Sequence, residues 1–191
     1  MTKASDARRD LIERTALRLF AERGYAEVSV RDIAQACGIG ESALYRHMSS
    51  KEELAVRVFR EAYIGFGQEM LEAAAGATGL EAKLSAYLSV MLEGFDRDPV
   101  MMRFLLISQH DTLSKAISPE DVTPVTIVYT AIATAAASGE ITTSDPALST
   151  ALVMGAALQP MTFMFYGRVS SPAISHHCNI LEGLTRLLDL S

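Results

Sequence analysis

The sequence predicts an all-α protein, and three observations support that prediction. No stretch of useful length alternates apolar and polar residues at strand spacing, and the hairpin pairs Asn-Gly and Asp-Gly are absent. Apolar residues recur at helical spacing, as Leu11, Ile12, Ala16, Leu19 and Phe20 do near the N-terminus. Five of the six prolines follow a residue that can cap a helix.

These prolines predict where helices begin. An N-cap side chain accepts hydrogen bonds from free backbone N–H groups, and a proline in the first turn has no N–H to lose. The five pairs are Asp98-Pro99, Ser118-Pro119, Thr123-Pro124, Asp145-Pro146 and Ser171-Pro172. The sixth proline, Pro160, falls inside a helical pattern and predicts a kink.

Nine helices are predicted in all. Gly24 closes the first helix as its C′ residue, and Ser50-Lys51-Glu52-Glu53 opens a long fourth helix with a capping box. The predicted ranges are 5–23, 29–37, 40–47, 50–75, 80–96, 99–115, 119–138, 145–168 and 172–190.

Composition favours a small head on a larger body. The 191 residues carry a net charge of −6, yet residues 1–60 hold 11 of the 17 Lys and Arg residues and only 9 of the 23 Asp and Glu. A mildly basic head on an acidic body is typical of a protein that meets phosphate at one end. We expect the two cysteines to be free thiols, and we expect no signal peptide. The apolar run 147–166 is interpreted as a buried helix and not as a membrane span.

Residues 29–47 have the pattern of a helix-turn-helix. Ser29 and Asp32 form an S-x-x-D start, and Gly38 falls where the turn needs a positive φ. Ala34 is small where the two helices would cross. An ordinary helical hairpin is the alternative, but only Leu44 is clearly apolar in the second helix, which is too few for a bundle helix. The pattern therefore favours a helix that presents a polar face to the DNA major groove.

Residues 8–60 resemble the head of the TetR family of transcription regulators. The matching residues are Ile12 and the ranges 19–25, 29–34, 38–40, 44–47 and 50–54. The resemblance implies a helix-turn-helix DNA-binding domain at 1–50 and a helical ligand-binding and dimerisation body at 51–191. The chain departs from the family pattern at Met48, where Phe is frequent, and at Ser49, where Pro is frequent. We expect Met48 to replace the core contact and Ser49 to loosen the turn.

Residue chemistry and the resemblance indicate the same DNA-binding positions. In the third helix, Ser42, Ala43 and Arg46 are predicted to read base edges, with Arg46 suited to guanine. Phosphate contacts are predicted for the remaining members of the set, which are Ser29, Arg31, Tyr45, His47 and Lys51. For Arg31, a surface ion pair with Asp32 or Glu27 is the alternative.

The resemblance also implies that the last two helices pair across a homodimer. The predicted interface residues are Ala151, Gly155, Leu158, Leu181, Leu184 and Leu188. Apolar residues with interspersed polar groups predict a cavity for a small hydrophobic or amphipathic effector. The predicted lining residues are Met91, Phe95, Phe104, Ser108, Tyr129, Thr130, Gln159 and Phe163.

The predicted partners are therefore double-stranded DNA, a small-molecule effector and a second copy of the chain, with no membrane, in the cytoplasm. Two alternatives stay open, namely a DNA-binding dimer that senses no ligand and a helical interaction protein without DNA binding. No cofactor, metal site or enzymatic activity is expected. Neither 108–111 nor 176–178 spaces its polar residues as a catalytic relay or a metal site requires.

Overall fold

The computed structural model describes the backbone of residues 3–190 and the side chains of residues 7–106 and 116–190. Across this backbone every regular element is helical, which confirms the predicted fold class. The nine α-helices are α1 (Lys3–Arg23), α2 (Val30–Ala36), α3 (Glu41–Leu44), α4 (Lys51–Ala73), α5 (Leu80–Arg97), α6 (Pro99–Ala116), α7 (Pro124–Ser138), α8 (Pro146–Phe165) and α9 (His177–Leu187), with a 3₁₀ helix at Ala173–His176.

The chain divides into two compact units. One comprises the chain up to Ala62 together with Val100–Pro119, and the other comprises Tyr63–Pro99 and the chain from Glu120 onward. The division falls inside α4, so the first turns of this helix belong to one unit and the later turns to the other. The functional boundary expected at residue 50 remains a prediction.

The first unit has an aromatic core. The rings of Phe20 and Phe59 lie 6.2 Å and 6.0 Å from the ring of Phe104, measured between centroids. Phe104 comes from α6, which this core binds to α1 and α4. Phe104 is 2% exposed in this core, and its place in an effector cavity stays a prediction.

The second unit contains α5, α7, α8 and α9, and two acidic side chains tie its segments together. Both carboxylate oxygens of Asp96 accept hydrogen bonds at the start of the 3₁₀ helix, from Ala173 N at 2.7 Å and Ile174 N at 3.0 Å. Glu140 accepts from the backbone N–H of Leu80 at 2.5 Å and so caps α5.

Two helix starts differ from the prediction. Helix α7 begins at Pro124 and not at Pro119, because Thr123 and Thr126 form a reciprocal capping box there. The pair Ser171-Pro172 precedes the 3₁₀ helix, in which Pro172 occupies the N-cap position. The Asp145-Pro146 prediction is confirmed, since the Asp145 carboxylate accepts from the N–H groups of Ala147 and Leu148 at 3.0 Å each.

Helix α8 is less buried than the sequence suggested. It packs on α7 and α9 through one face, while Leu148, Leu152 and Phe163 stand exposed on the other. Pro160 lies inside the helix without ending it. Among the described residues, α8 is the one helix long and apolar enough to cross a membrane by length and composition, and 28% of its most apolar window is buried.

Candidate nucleic-acid interface

Ser29 sets the start of α2. Its hydroxyl oxygen accepts from the backbone N–H of Asp32 at 3.1 Å, and the Asp32 carboxylate accepts from the backbone N–H of Ser29 at 2.8 Å. The Ser29 hydroxyl also donates to that carboxylate at 2.5 Å. These bonds from Ser29 lower the pKa of Asp32 below its ordinary value of 3.8. The capping box predicted from the sequence is therefore present.

The turn after α2 depends on Gly38. This residue has φ +64°, the left-handed conformation that glycine reaches without Cβ strain. The turn is closed by hydrogen bonds from Gly38 N to Gln35 O at 3.1 Å and from Ile39 N to Ala34 O at 3.0 Å. Ala34 is buried at the same point. The predicted role of Gly38 is thereby confirmed.

Helix α3 is a single turn held by one side chain. Leu44 is 0% exposed, whereas Ser42, Tyr45 and Arg46 are exposed. Ala43 and His47 are half-buried. Beyond the helix, backbone hydrogen bonds join residues three positions apart, as from His47 N to Leu44 O at 2.8 Å. The expected range 40–47 is thus one α-helical turn followed by a tight turn.

Met48 and Lys51 anchor the segment between α3 and α4. Met48 is buried, as expected for a residue that replaces a core Phe. The Lys51 ammonium donates to Tyr25 O at 2.9 Å and Val28 O at 2.8 Å, and lies 4.2 Å from the centroid of the Tyr25 ring. Lys51 therefore holds the loop between α1 and α2, and one of its three donors remains for a phosphate.

All eight predicted DNA-binding residues lie in the first unit, between the start of α2 and the start of α4. Their environments differ. The described donors of Ser29, its N–H and its hydroxyl, are directed to Asp32, so Ser29 acts first as a cap. Asp32 pairs with Arg23 at 3.5 Å, which leaves Arg31 exposed beside it. Of the other predicted residues, Arg31, Ser42, Tyr45 and Arg46 are exposed.

Sequence reasoning missed the contacts of Glu53 and Arg57 with the turn after α3. The backbone N–H of Glu53 does bond to Ser50 Oγ at 3.0 Å, as the capping box required. Its carboxylate, however, accepts from Ser49 N at 3.3 Å rather than from Ser50 N. Arg57 donates to the carbonyl of His47 at 3.3 Å. Both contacts link α4 to the turn after α3, and the apolar spacing within α4 does not predict them.

The predicted effector-pocket residues differ in burial and in the unit to which they belong. Met91 and Phe95 are buried in the second unit, and Phe104 is buried in the first. The side chain of Ser108 lies outside the described residues. The other four predicted lining residues are exposed, namely Tyr129, Thr130, Gln159 and Phe163.

The predicted interface residues also separate into two groups. Leu184 is 2% exposed and Leu188 is buried, because α9 packs against α5 and α8 inside the chain. These two leucines are therefore core residues, and the predicted interface is revised accordingly. Ala151 and Gly155 are exposed on α8, and Leu158 and Leu181 are half-exposed.

Comparison with known proteins identifies the same head. Residues 12–58 match the model of the family described as bacterial regulatory proteins, tetR family. The chain is 34% identical over 95 residues to the HTH-type transcriptional repressor KstR2 of Rhodococcus jostii, a match that covers 50% of this chain and 47% of that protein. The chain therefore spans about half the length of that repressor. A second match, to the uncharacterized HTH-type transcriptional regulator YerO of Bacillus subtilis, is 37% identical over 65 residues and covers 22% of that protein.

Solved structures share the fold over nearly the whole chain. FadR of Bacillus subtilis, solved in complex with stearoyl-CoA, has a TM-score of 0.75 at 21% identity, covering 92% of this chain and 96% of that one. AibR, solved in complex with isovaleryl coenzyme A and operator DNA, has a TM-score of 0.72 at 22% identity, covering 96% and 100%. Residues 12–58 thus resemble the head of the tetR family, and the described part of the chain has the all-helical fold of these solved structures.

Proposed function

We propose that this protein is a sequence-specific DNA-binding transcription regulator, and that its α3 reads base edges in the major groove. The observation that carries the proposal is the build of α3. One buried leucine holds a single helical turn in which Glu41 and Ser42 are polar and exposed and Ala43 is half-buried. Such a turn buries too little apolar surface to be explained by a role in the core. We therefore infer that it forms in order to present its polar side chains to a binding partner.

Base reading falls to three residues in this proposal. The exposed Arg46 guanidinium suits the paired acceptors of guanine, the Ala43 methyl suits the thymine methyl, and the Ser42 hydroxyl suits either type of base. Arg31, Tyr45 and His47 contact phosphates and fix the register. Lys51 serves mainly as a support, because two of its donors already hold the loop before α2.

A salt series tests DNA binding directly. Fluorescence anisotropy of a labelled duplex should show log K falling linearly with log salt, since basic side chains displace counterions from phosphate. The same slope on an unrelated duplex, with weaker binding at every salt concentration, would show that the slope is set by phosphate contacts and the difference by base contacts. Absence of duplex binding at low salt would refute the proposal.

We further propose that two copies pair through α8. Leu148, Leu152 and Phe163 form an exposed apolar stripe on the face away from α7 and α9, with Ala151 and Gly155 allowing close approach. A stripe of this extent on a free monomer would be unusual. A two-fold dimer covers it and supplies two α3 helices for a palindromic site.

The proposed effector is an amphipathic acyl compound. Two proteins of the same fold were solved with acyl-coenzyme A esters. In the second unit of this chain Met70, Met91 and Met161 are buried, and the ring centroids of Phe95 and Phe165 lie 4.9 Å apart. Flexible methionines can repack around an acyl chain. Because α4 contributes to both units, a ligand that changes its tilt would alter the spacing of paired α3 helices.

The measurement for the effector is operator affinity with and without stearoyl-CoA or isovaleryl-CoA. We expect the ester to weaken operator affinity by about 5- to 150-fold, which is typical of coupling between two sites. Calorimetry in the same buffer reports whether each ester binds. An ester that binds and leaves operator affinity unchanged would favour the second candidate, a DNA-binding dimer without ligand control. We place either form of the protein in the cytoplasm, where its DNA is and where the two free cysteines stay reduced.

A further inference from the structure

Two side chains of α4 hold the turn after α3. Arg57 Nη2 donates to the carbonyl of His47 at 3.3 Å, and Glu53 Oε2 accepts from the backbone N–H of Ser49 at 3.3 Å. Glu53 and Arg57 are one helical turn apart and form an ion pair with each other. The two backbone groups on either side of buried Met48 are therefore bound by one side-chain pair.

Arg57 also reaches α1. Its Nε donates to Glu13 Oε1 at 3.0 Å, and the same oxygen accepts from Arg9 Nε at 2.8 Å. The side chains of Arg57 and Glu13 are 21% and 14% exposed, so this pair is shielded from solvent more than an ordinary surface ion pair. One guanidinium thus joins α1, α4 and the end of the α3 segment.

The chemistry of the site suits arginine in particular. Three nitrogens of a planar guanidinium each have a different acceptor here, namely a carboxylate on α1, a carboxylate on α4 and a backbone carbonyl. A lysine ammonium is a single point of charge on a flexible stem and does not span the three. The contact to Ser49 requires a backbone N–H, which proline at this position would lack.

We propose that Arg57 is a positioning residue for DNA reading. Together with Glu53 it fixes the direction in which the α3 segment presents Arg46, without itself contacting DNA. The inference rests on the proposed function, because it concerns how the same surface is held. Its consequence is that losing Arg57 lowers discrimination between sequences and leaves the electrostatic part of binding in place.

The test compares Arg57→Met with wild type and with Arg18→Met as the matched control. Arg18 pairs with Glu22 on a single helix and is half-exposed. Each protein is measured well below its Tm, on a duplex selected by the wild type and on a scrambled duplex, across a salt series. For Arg57→Met we expect the ratio of the two affinities to fall by about tenfold, the scale of one lost charged hydrogen bond. The salt slope should not change, and Arg18→Met should match the wild type.

Several outcomes would overturn the proposal. A folded Arg57→Met protein with the wild-type affinity ratio would make Arg57 purely structural. A salt slope reduced by about 1 would make it a phosphate contact. If Arg57→Met does not fold, Glu53→Gln takes its place, and it should lower the same ratio at unchanged slope. A wild type that discriminates no sequence would refute the proposed function itself, which separates that failure from failure of the positioning role.

Discussion

Arg46 and Arg31 are both exposed arginines of the first unit, but Arg31 lies on α2 whereas Arg46 lies in the turn after α3. Arg46 comes two residues after the buried anchor Leu44, at the end of the segment proposed to enter the groove. Arg31 lies in the first turn of α2, beside the capping box. The pair offers a test in which side-chain chemistry is constant and only position differs.

For Arg46→Ala we expect a loss of about 1–3 kcal/mol in operator binding and relaxed preference at one base pair. Arg31→Ala should weaken selected and scrambled duplexes alike and reduce the salt slope by about 1. Affinity measurements on a set of single-base operator variants distinguish the two. Equal relaxation of base preference by both substitutions would contradict the assignment.

Asp32 gives the first unit a predictable pH dependence. Its pKa in the folded protein is lowered, chiefly by the hydrogen bonds from Ser29, so the unfolded chain binds the proton more readily. Its contribution to stability is therefore complete above the ordinary pKa of 3.8 and is lost as pH falls through the lower folded value. Urea unfolding of Asp32→Asn should show a shallower loss of stability than wild type in this acidic range. Parallel curves would argue against the depressed pKa.

At the scale of single helices, α4 offers a matched pair of glycines. A Cβ on Gly67 would lie 3.1 Å from the carbonyl oxygen of Val122 and 3.3 Å from the carbonyl carbon of Thr123. Both are backbone atoms at the start of α7, held by its capping box. A Cβ on Gly65, in the same helix, would meet nothing within 4 Å.

We expect Gly67→Ala to destabilise the protein by about 1–3 kcal/mol, because the neighbouring backbone cannot yield. Gly65→Ala should be neutral or stabilise by up to about 1 kcal/mol, because alanine favours the helix. Chemical denaturation of the two variants measures the difference. Equal stability of the two would mean that α4 and the start of α7 are packed less closely than the structure indicates.

Local signals explain which elements were predictable from the sequence. Ser29 with Asp32 and the glycine at 38 act within four residues of the backbone they shape, so α2 and its turn were predicted correctly. The start of α7 was not, because Ser118-Pro119 and Thr123-Pro124 satisfy the same local rule. Thr126, placed to complete the second capping box, distinguishes them.

Contacts between distant segments explain the remaining differences. Whether Leu184 is core or surface depends on α5 and α8 covering that face of α9. Phe104 joins the first unit because Phe20 and Phe59 surround it from α1 and α4. Glu53 and Arg57 likewise act on a turn outside their own helix. No periodicity in one helix shows what its neighbours will cover.

At the scale of the whole molecule, a substitution on the exposed face of α8 tests whether the protein forms a dimer. Leu152 is 50% exposed, so Leu152→Glu places a charge on the stripe without opening the core. We expect it to shift a dimer to monomer in sedimentation at micromolar concentration, with the circular dichroism of the wild type. Leu184→Glu is the contrasting variant, since a buried charge at that position should unfold the chain. A wild type that sediments as a monomer, or an unaffected Leu152→Glu dimer, would contradict pairing through α8.

The uneven distribution of charged residues along the chain is also a property of the whole molecule. Under the proposed function, the excess of basic residues in the first sixty positions, against an acidic remainder, would favour approach to DNA through the head. Charge alone gives attraction without choice of sequence. Specific regulation therefore requires that the α3 surface recognise particular bases, beyond attraction to phosphate.

Selection of bound duplexes from a random-sequence library is the sharpest test of base recognition, with the wild type and Arg46→Ala carried through the same rounds. We expect the wild type to enrich a pseudo-palindrome whose half-site centres lie about 34 Å apart or a multiple of that distance. Arg46→Ala should enrich the same motif with preference lost at one position of each half-site. A folded wild-type protein that enriches no motif would contradict base reading by α3.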